Sequence, residues 1–344
     1  METLNLNEFD LYYHDTYKIK YDFFQKLLDC GIKNLYDRQK IWCHIIMENF
    51  NNETLLPKHT SIFKEDKFID YIYEKGGVIY KSDNYLTIFA HKLQQYNEKY
   101  SNYNIEMYKN IYINKNIDKY ILIYNGIILY IESYLYDKLL SLYKRNEMNE
   151  MNLFHTYLFE LLFNYHILDG ISHQWSIPST IFTELNITRE LYASPFNSCA
   201  PKYHSIFNID KIFGSNGCAE NLLDSDIEDG IYEVDPPHIE KIICNGFNII
   251  KTLLQMETNE NKNLIFIFII PYWIDMIAYK ESCTSDFLID KLILNAYEHH
   301  YIKLNGHKIT SIFDTCIFIH GTKSGKVEWI DKKLSEKLVT TWVL

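Results

Sequence analysis

The chain is poor in the residues that punctuate and staple folds: its 344 residues include 12 Gly, 7 Pro and 7 Cys. The cysteines, Cys30, Cys43, Cys199, Cys218, Cys244, Cys283 and Cys316, are odd in number and scattered, and none forms Cys-x-x-Cys. That pattern argues against a disulfide framework and a cysteine-rich zinc site. It fits reduced, core-filling thiols in an intracellular compartment, cytoplasmic or nuclear. No uninterrupted apolar run approaches the ~18 residues of a membrane span. No secretory leader is expected, so the sequons at Asn52 and Asn186 carry no weight, and no membrane partner is expected. An excess of basic charge is missing too. Lys and Arg number 34 against 45 Asp and Glu, for a net charge of −11. Nucleic-acid binding needs clustered cations, and the one crowded stretch is Lys323, Lys326, Lys332, Lys333 and Lys337. A solvated lysine face outweighs a basic groove there.

What is present is ordinary globular material. Apolar residues make up 47% of the chain, enough to build a substantial core in one large domain or two smaller ones. Asn, Ile, Lys and Tyr are over-used, a bias that reads as genome composition rather than chemistry. The first half looks mixed. YDFFQKLLDCGI and LYDRQKIWCHIIMENF have apolar residues at helical spacing, the first closing at a Gly. GGVIYKSDNYLTIFAHK reads as two short strands around a polar turn. KYILIYNGIILYIESY carries Asn-Gly between β-rich runs, a hairpin signal, although its second half also continues at helical period. EMNLFHTYLFELLFNYHILDG predicts a buried helix, and KRNEMNEMN, at 144–152, is the clearest polar hinge.

From about residue 187 strands alternate with helices. RELYASPFN and GIYEVDPPH read as strands running into turns, IEKIICNGFNIIKTLLQM as a helix, and NLIFIFIIPYW as a strand buried on both faces. This alternation predicts an α/β sheet with a mostly parallel core. Ligands bind at the carboxyl ends of such strands, where Ser194-Pro195-Phe196-Asn197, Asp235-Pro236-Pro237-His238 and Pro271-Tyr272-Trp273 fall.

The chain's Pro-Pro pair, Pro236-Pro237, follows an acid. In structural terms two prolines end a strand and stiffen its exit. The chemical reading starts from an exocyclic amine on a nucleobase, whose lone pair is delocalised into the ring. Methylating it requires acceptors for both of its hydrogens, so that the lone pair localises as the C–N bond forms. An acid followed by two prolines supplies a side-chain oxygen and a backbone carbonyl in fixed geometry. A flat residue next in line can stack on the base. The gain comes from orientation and preorganised polarity.

YEVDPPH resembles the [Asp/Asn/Ser]-Pro-Pro-[aromatic] signature of amino-group methyltransferases. The ordered blocks LYASPFNSCAPKYHSIFNIDKIFGSNG, GIYEVDPPHIEKI, IFIFIIPYW, NAYEHHYI and DTCIFIHG, over about residues 170–330, resemble the PCIF1 family, the phosphorylated-CTD-interacting factors that methylate the cap-adjacent adenosine of mRNA. The resemblance implies an α/β fold: a Rossmann-like S-adenosylmethionine-dependent methyltransferase core over 151–344 after a helix-rich domain over 1–150. It implies S-adenosylmethionine as cofactor, capped mRNA as partner and no metal. No WW domain is expected in this chain.

Residue by residue, the resemblance makes Asp235 and the Pro236 carbonyl acceptors for the adenine amine, with Pro237 completing the ledge. Asp235 stands where the family usually has Asn, and related adenine methyltransferases use Asp there. His238 stands where the family has Phe; imidazole can stack, or hydrogen-bond the base or ribose. Ser194, Pro195 and Asn197 would form the cofactor loop, with Asp235 also against the cofactor. Asn197 can equally satisfy its own turn. Asp210 falls where a ribose-binding acid would, after a possible second strand, and FGSNG reads as a tight loop near the same pocket. Trp273 could wall the pocket, or be core. Glu298 and His299 would orient the substrate strand or stabilise a loop; their spacing lacks the zinc-binding pattern on a helix.

Overall fold

The computed structural model describes residues 8–48, 85–99, 111–145, 150–168, 174–224 and 227–343. The chain forms two compact units, one of residues 1–136 and 150–171, the other of 137–149 and 172–344.

In the first unit, helices α1 (Glu8–Asp29), α2 (Leu35–Glu48), α3 (Tyr85–Lys99) and α5 (Phe154–Ile167) gather an aromatic core. Tyr13 meets Phe163 and Phe159 edge-on, with ring centroids 4.2 and 5.3 Å apart, and Phe23 lies 4.8 Å from Phe89. Helix α3 corrects the strand reading of residues 85–92. Phe89, Leu93 and Tyr96 are buried, a helical spacing that outweighs the β-rich composition. The first strand expected there lies outside the described residues. Strands β1 (Tyr112–Lys115), β2 (Lys119–Tyr124) and β3 (Ile127–Glu132) form an antiparallel meander. Asn125 and Gly126, at φ of 43° and 80°, make the β2–β3 turn, the left-handed pair that a two-residue hairpin requires. The next run does what both of its readings proposed. It is strand to Glu132 and then helix α4 (Ser133–Lys144), which passes into the second unit at Asp137.

The second unit is a mixed α/β structure around a six-stranded sheet. Its strands are β4 (Ile187–Glu190), β5 (Lys202–Tyr203), β6 (Gly230–Val234), β7 (Leu264–Pro271), β8 (Leu288–Leu294) and β11 (Thr315–Gly321), in the order β5-β4-β6-β7-β11-β8. The first four are parallel, as expected; β11 runs antiparallel between β7 and β8, so the sheet is mixed.

Strand β7 shows why this sequence makes a layered core. All eight of its residues are buried. Leu264, Phe266, Phe268 and Ile270 share one cluster with Phe247, Ile250 and Leu253 of helix α7 (Glu240–Gln255). Ile265, Ile267 and Ile269 belong to the opposite cluster. Its other members include Ile181 of α6 (Ser179–Leu185), Trp329 of α9 (Lys323–Asp331), and Leu338 and Trp342 of α10 (Leu334–Trp342). Side chains alternate along a strand, so a continuous apolar run feeds two helical layers at once. Each such buried side chain contributes about 1.5–3 kcal/mol.

Helix α8 (Ile277–Cys283) links β7 to β8, and β9 (His300–Ile302) pairs with β10 (Lys308–Thr310) before β11. The crowded C-terminal lysines lie exposed on α9, on α10 and between them. Lys332 pairs with Glu328 at 2.5 Å and Lys333 with Glu336 at 3.9 Å. No helix among the described residues is long and apolar enough to cross a membrane.

Candidate active site at the sheet's switch point

The chain lays down β4, then β5 on one side of it, then crosses back to lay β6 on the other. Where strand order reverses, the two connections leave in opposite directions. A crevice opens at the carboxyl ends of the two central strands. Here those ends are Glu190 and Val234. The amide of Leu191 donates to the Glu233 carbonyl at 3.0 Å, which carries the pairing one step past β4.

The exit from β4 is held rigidly. Asn197 Oδ1 accepts from the Ser194 amide at 2.7 Å and from the Ser194 hydroxyl at 2.9 Å. The Ser194 oxygen accepts from the amides of Phe196 and Asn197. Asn197 Nδ2 donates to the Trp175 carbonyl at 3.1 Å. The carboxylate of Glu190, 3% exposed, accepts from the amides of Cys199 at 2.8 Å and Ala200 at 2.9 Å. Lys138 of α4 donates to the carbonyls of Phe196 at 2.9 Å and Ser198 at 3.1 Å.

The exit from β6 is different. Pro236 is buried, Asp235 and Pro237 are half-buried, and His238 is exposed. The prolines fix the backbone, and the Ile239 amide closes back on the Pro237 carbonyl at 2.6 Å. Among the described residues, the bonds that hold the β4 loop have no counterpart at the Asp235 carboxyl. Three carboxyls converge here: Asp235, Glu233 and Glu190. Burial, then the Glu190 charge, pushes Asp235 up to about 7. Burial raises Glu190 to about 7 as well, against the opposing pull of its two amide donors and Lys138. Glu233 is driven well above the usual carboxylate range by burial, then by Asp235 and Glu190. Such neighbours share their protons rather than titrate one at a time.

Aromatic rings frame His238. Phe313 stands edge-on with its centroid 5.3 Å away, and Trp273 edge-on at 6.3 Å. Trp273 is 46% exposed, so it is a rim residue rather than core. The Glu298 and His299 positions divide. Glu298 is exposed and accepts from Asn295 Nδ2 at 2.7 Å. His299 is fully buried. Its Nδ1–H donates to the Asn295 carbonyl at 2.9 Å, which leaves Nε2 to accept from the Thr315 hydroxyl at 2.8 Å. Asp210, fully buried, lies in the short 3-10 segment Asn208–Phe213 beyond β5. The FGSNG loop, with Gly214 and Gly217 at φ of 95° and 94°, is fastened to Ser205. The Ser205 and Ser215 hydroxyls are 2.7 Å apart, and the Ser205 amide donates to Gly217.

The structure thus brings Ser194, Pro195 and Asn197 to one central strand end. It brings Asp235, Pro236, Pro237 and His238 to the other, with Trp273 beside them. Glu190, Glu233, Lys138 and Phe313 were not singled out in the sequence. Of the two glutamates only Glu233 left a signal there, as an acid in an otherwise apolar strand; Glu190 follows Thr188 and Arg189 in a polar one. Lys138 left none.

The mixed α/β unit thus has a preorganised loop and an acid-proline turn on either side of a switch point, the place where open α/β sheets take ligands. Residues 134–304 match the family model described as phosphorylated CTD interacting factor 1 WW domain; over that span the chain is similar to this family. The match reaches back to include α4 and α5, ahead of the quoted motif blocks. Its description names a WW domain, which was not expected from the sequence; the matched residues run from α4 to β9. No curated protein matches the chain.

Proposed function

We propose that the chain is an S-adenosylmethionine-dependent N6-adenosine methyltransferase acting on the cap-adjacent adenosine of capped mRNA. The carrying observation is the Asp235-Pro236-Pro237-His238 ledge at the carboxyl end of β6, across the switch point from the loop that follows β4. The strand order and the match to the phosphorylated-CTD-interacting-factor family support a Rossmann-like methyltransferase core.

The residues present fit the cofactor. A preorganised loop follows the first core strand, and the buried carboxyls facing it suit a cationic ligand. Ser194, Pro195 and Asn197 would hold the methionine end, and Asp235 would face the reacting centre. Asp210, in the connection after β5, would take the ribose. When bound, S-adenosylmethionine supplies an electrophilic methyl group on a positively charged sulfur.

The chain's own part is orientation. Asp235 accepts one hydrogen of the adenine amine and the Pro236 carbonyl accepts the other, which localises the lone pair on N6. His238 and Trp273 cover the base. Methylation leaves the nitrogen with a proton to lose, and a carboxyl raised to about 7 by burial and Glu190 can hold it at Asp235. Glu298, exposed between β8 and β9, would contact the substrate strand. His299, spending both ring nitrogens on protein partners, acts through the position of its loop.

The test is methyl transfer from labelled S-adenosylmethionine to m7G-capped RNA beginning with A or 2′-O-methyl-A, against uncapped RNA and single-stranded DNA. Cap-dependent product is the expected result, and absence of methyl-adenosine on every substrate would overturn the proposal. His238, in place of the family's Phe, favours a second reading in which the adenine belongs to another RNA or to DNA. Product without cap dependence would select it. Cofactor binding without transfer would point to a binding or scaffold protein with a methyltransferase fold.

A further inference from the structure

We propose that Lys138 is a positioning residue for the cofactor loop, an inference that rests on the function just proposed. It comes from a helix that precedes the sheet, and no motif marks it. The observation is a division of labour over five consecutive residues. Lys138 Nζ takes the carbonyls of Phe196 and Ser198. The Glu190 carboxylate takes the amides of Cys199 and Ala200. One cation and one anion thus saturate four backbone groups of a loop that has no ladder of its own.

The arrangement is costly for an ordinary structural lysine. Burial lowers the Lys138 ammonium from its usual range, opposed by the charges of Cys199 and Glu190. Surface lysines avoid that cost by staying in water. A buried charge persists where it is paired and hydrogen-bonded. Here the compensation is spent on one loop, whose Ser194 and Asn197 bonds fix the strand-proximal half. Without Lys138 the distal half would keep its amide donors on Glu190 but lose the grip on its carbonyls. Glu190 would lose the electrostatic pull of that cation as well.

A positioning residue for cofactor binding has a distinctive kinetic signature. The loop contacts the cofactor equally before and during transfer, so its loss weakens uniform binding. Lys138→Met keeps the aliphatic stem and removes the donors. It should raise the KM and Kd for S-adenosylmethionine about tenfold or more, since hydrogen bonds involving charged groups are strong ones. kcat and the KM for RNA should stay within about threefold. Lys138→Arg keeps charge and donors, and should recover most of the affinity.

Hydrogen exchange on the ligand-free protein gives a second readout. Amides 196–200 should exchange faster in Lys138→Met while those of β6 and β7 hold. Unchanged cofactor affinity together with unchanged loop protection would overturn the inference. So would a fall in kcat with cofactor affinity intact. Should the wild-type chain bind no S-adenosylmethionine, the proposed function falls. The exchange comparison then decides by itself whether Lys138 holds this loop.

Discussion

Two loops leave the centre of the same sheet, and they are built in opposite ways. The loop after β4 is closed on itself: Ser194 and Asn197 bond each other, and Glu190 and Lys138 satisfy the next peptides. The loop after β6 is stiffened by covalent rings, and its acid takes no hydrogen bond comparable to those of the β4 loop among the described residues. A side chain committed to its own loop fixes the shape of that loop, so whatever the loop offers a ligand is offered preorganised. A carboxyl that burial has raised and the surrounding amides do not neutralise has most of its hydrogen-bonding capacity in hand. The first loop therefore reads as a frame and the second as the working edge. Substitutions in the two should fail in different ways.

The largest effect should fall on the working edge. Asp235→Ala removes the principal acceptor for the amine and should cost about 10²–10³ in kcat, as deletion of one preorganised polar group does elsewhere. Cofactor affinity should change by less than a few-fold. Single-turnover transfer alongside calorimetric binding checks this, and loss of both together would make the ledge part of the frame. On the frame, Asn197→Ala should do the reverse. It leaves the Ser194 amide and the Trp175 carbonyl without their partner, at about 1–3 kcal/mol. Denaturant unfolding should show the loss, and any residual turnover should come with weaker cofactor binding.

A third difference concerns protons. Asp235 and Glu190 are raised to about 7, and Glu233 is raised too. Carboxyls raised in the fold bind more protons there than in the unfolded chain. Their contribution to stability is therefore present at low pH. It is lost as pH climbs from the ordinary carboxylate range through about 7. Acceptance of the amine's hydrogens runs the other way and improves as Asp235 ionises. Activity should thus rise toward pH 7 while thermal stability from this cluster declines. In Asp235→Asn the activity profile should flatten, because an amide oxygen accepts at any pH. A profile identical to wild type would assign the titration to Glu190 or Glu233.

The sequence made the working edge legible and hid much of the frame. Prolines after an acid at a strand end carry their own geometry, and the unbroken apolar run of β7 declares a strand buried on both faces. Asn125-Gly126 likewise announces its turn. Lys138 could not be read, because it sits in an unremarkable helix 58 and 60 residues from the carbonyls it holds. The insertion of β11 antiparallel between β7 and β8 was hidden for the same reason: strand order is a long-range choice that local pattern does not encode. Residues 85–92 misled by composition, since Tyr, Thr, Ile and Phe favour strands in general. The burial of Phe89, Leu93 and Tyr96 on one helical face decided otherwise. Glu233 was visible as an acid in an apolar strand, whereas Glu190 sits in the polar run Thr188-Arg189-Glu190, and only pairing in the parallel sheet placed the two beside each other.

The smallest effect should come from His238, and it tests how far the working edge depends on a flat surface rather than on a polar one. The ring is exposed, with Phe313 and Trp273 both edge-on to it. It is therefore already held by aromatic neighbours, and a benzene ring can occupy the same slot. If His238 serves by covering the base, His238→Phe should keep transfer within a few-fold of wild type or raise it, since Phe offers more apolar area. His238→Ala should then lose roughly ten-fold or more, in line with about 1–3 kcal/mol for stacking on a base. If the imidazole instead hydrogen-bonds the base or ribose, the order inverts and His238→Phe falls with His238→Ala. Comparing the two variants' KM for RNA decides between these roles. Neither substitution should alter cofactor affinity, because the ring stands on the β6 exit and takes no part in the bonds by which Lys138 and Glu190 hold the β4 loop.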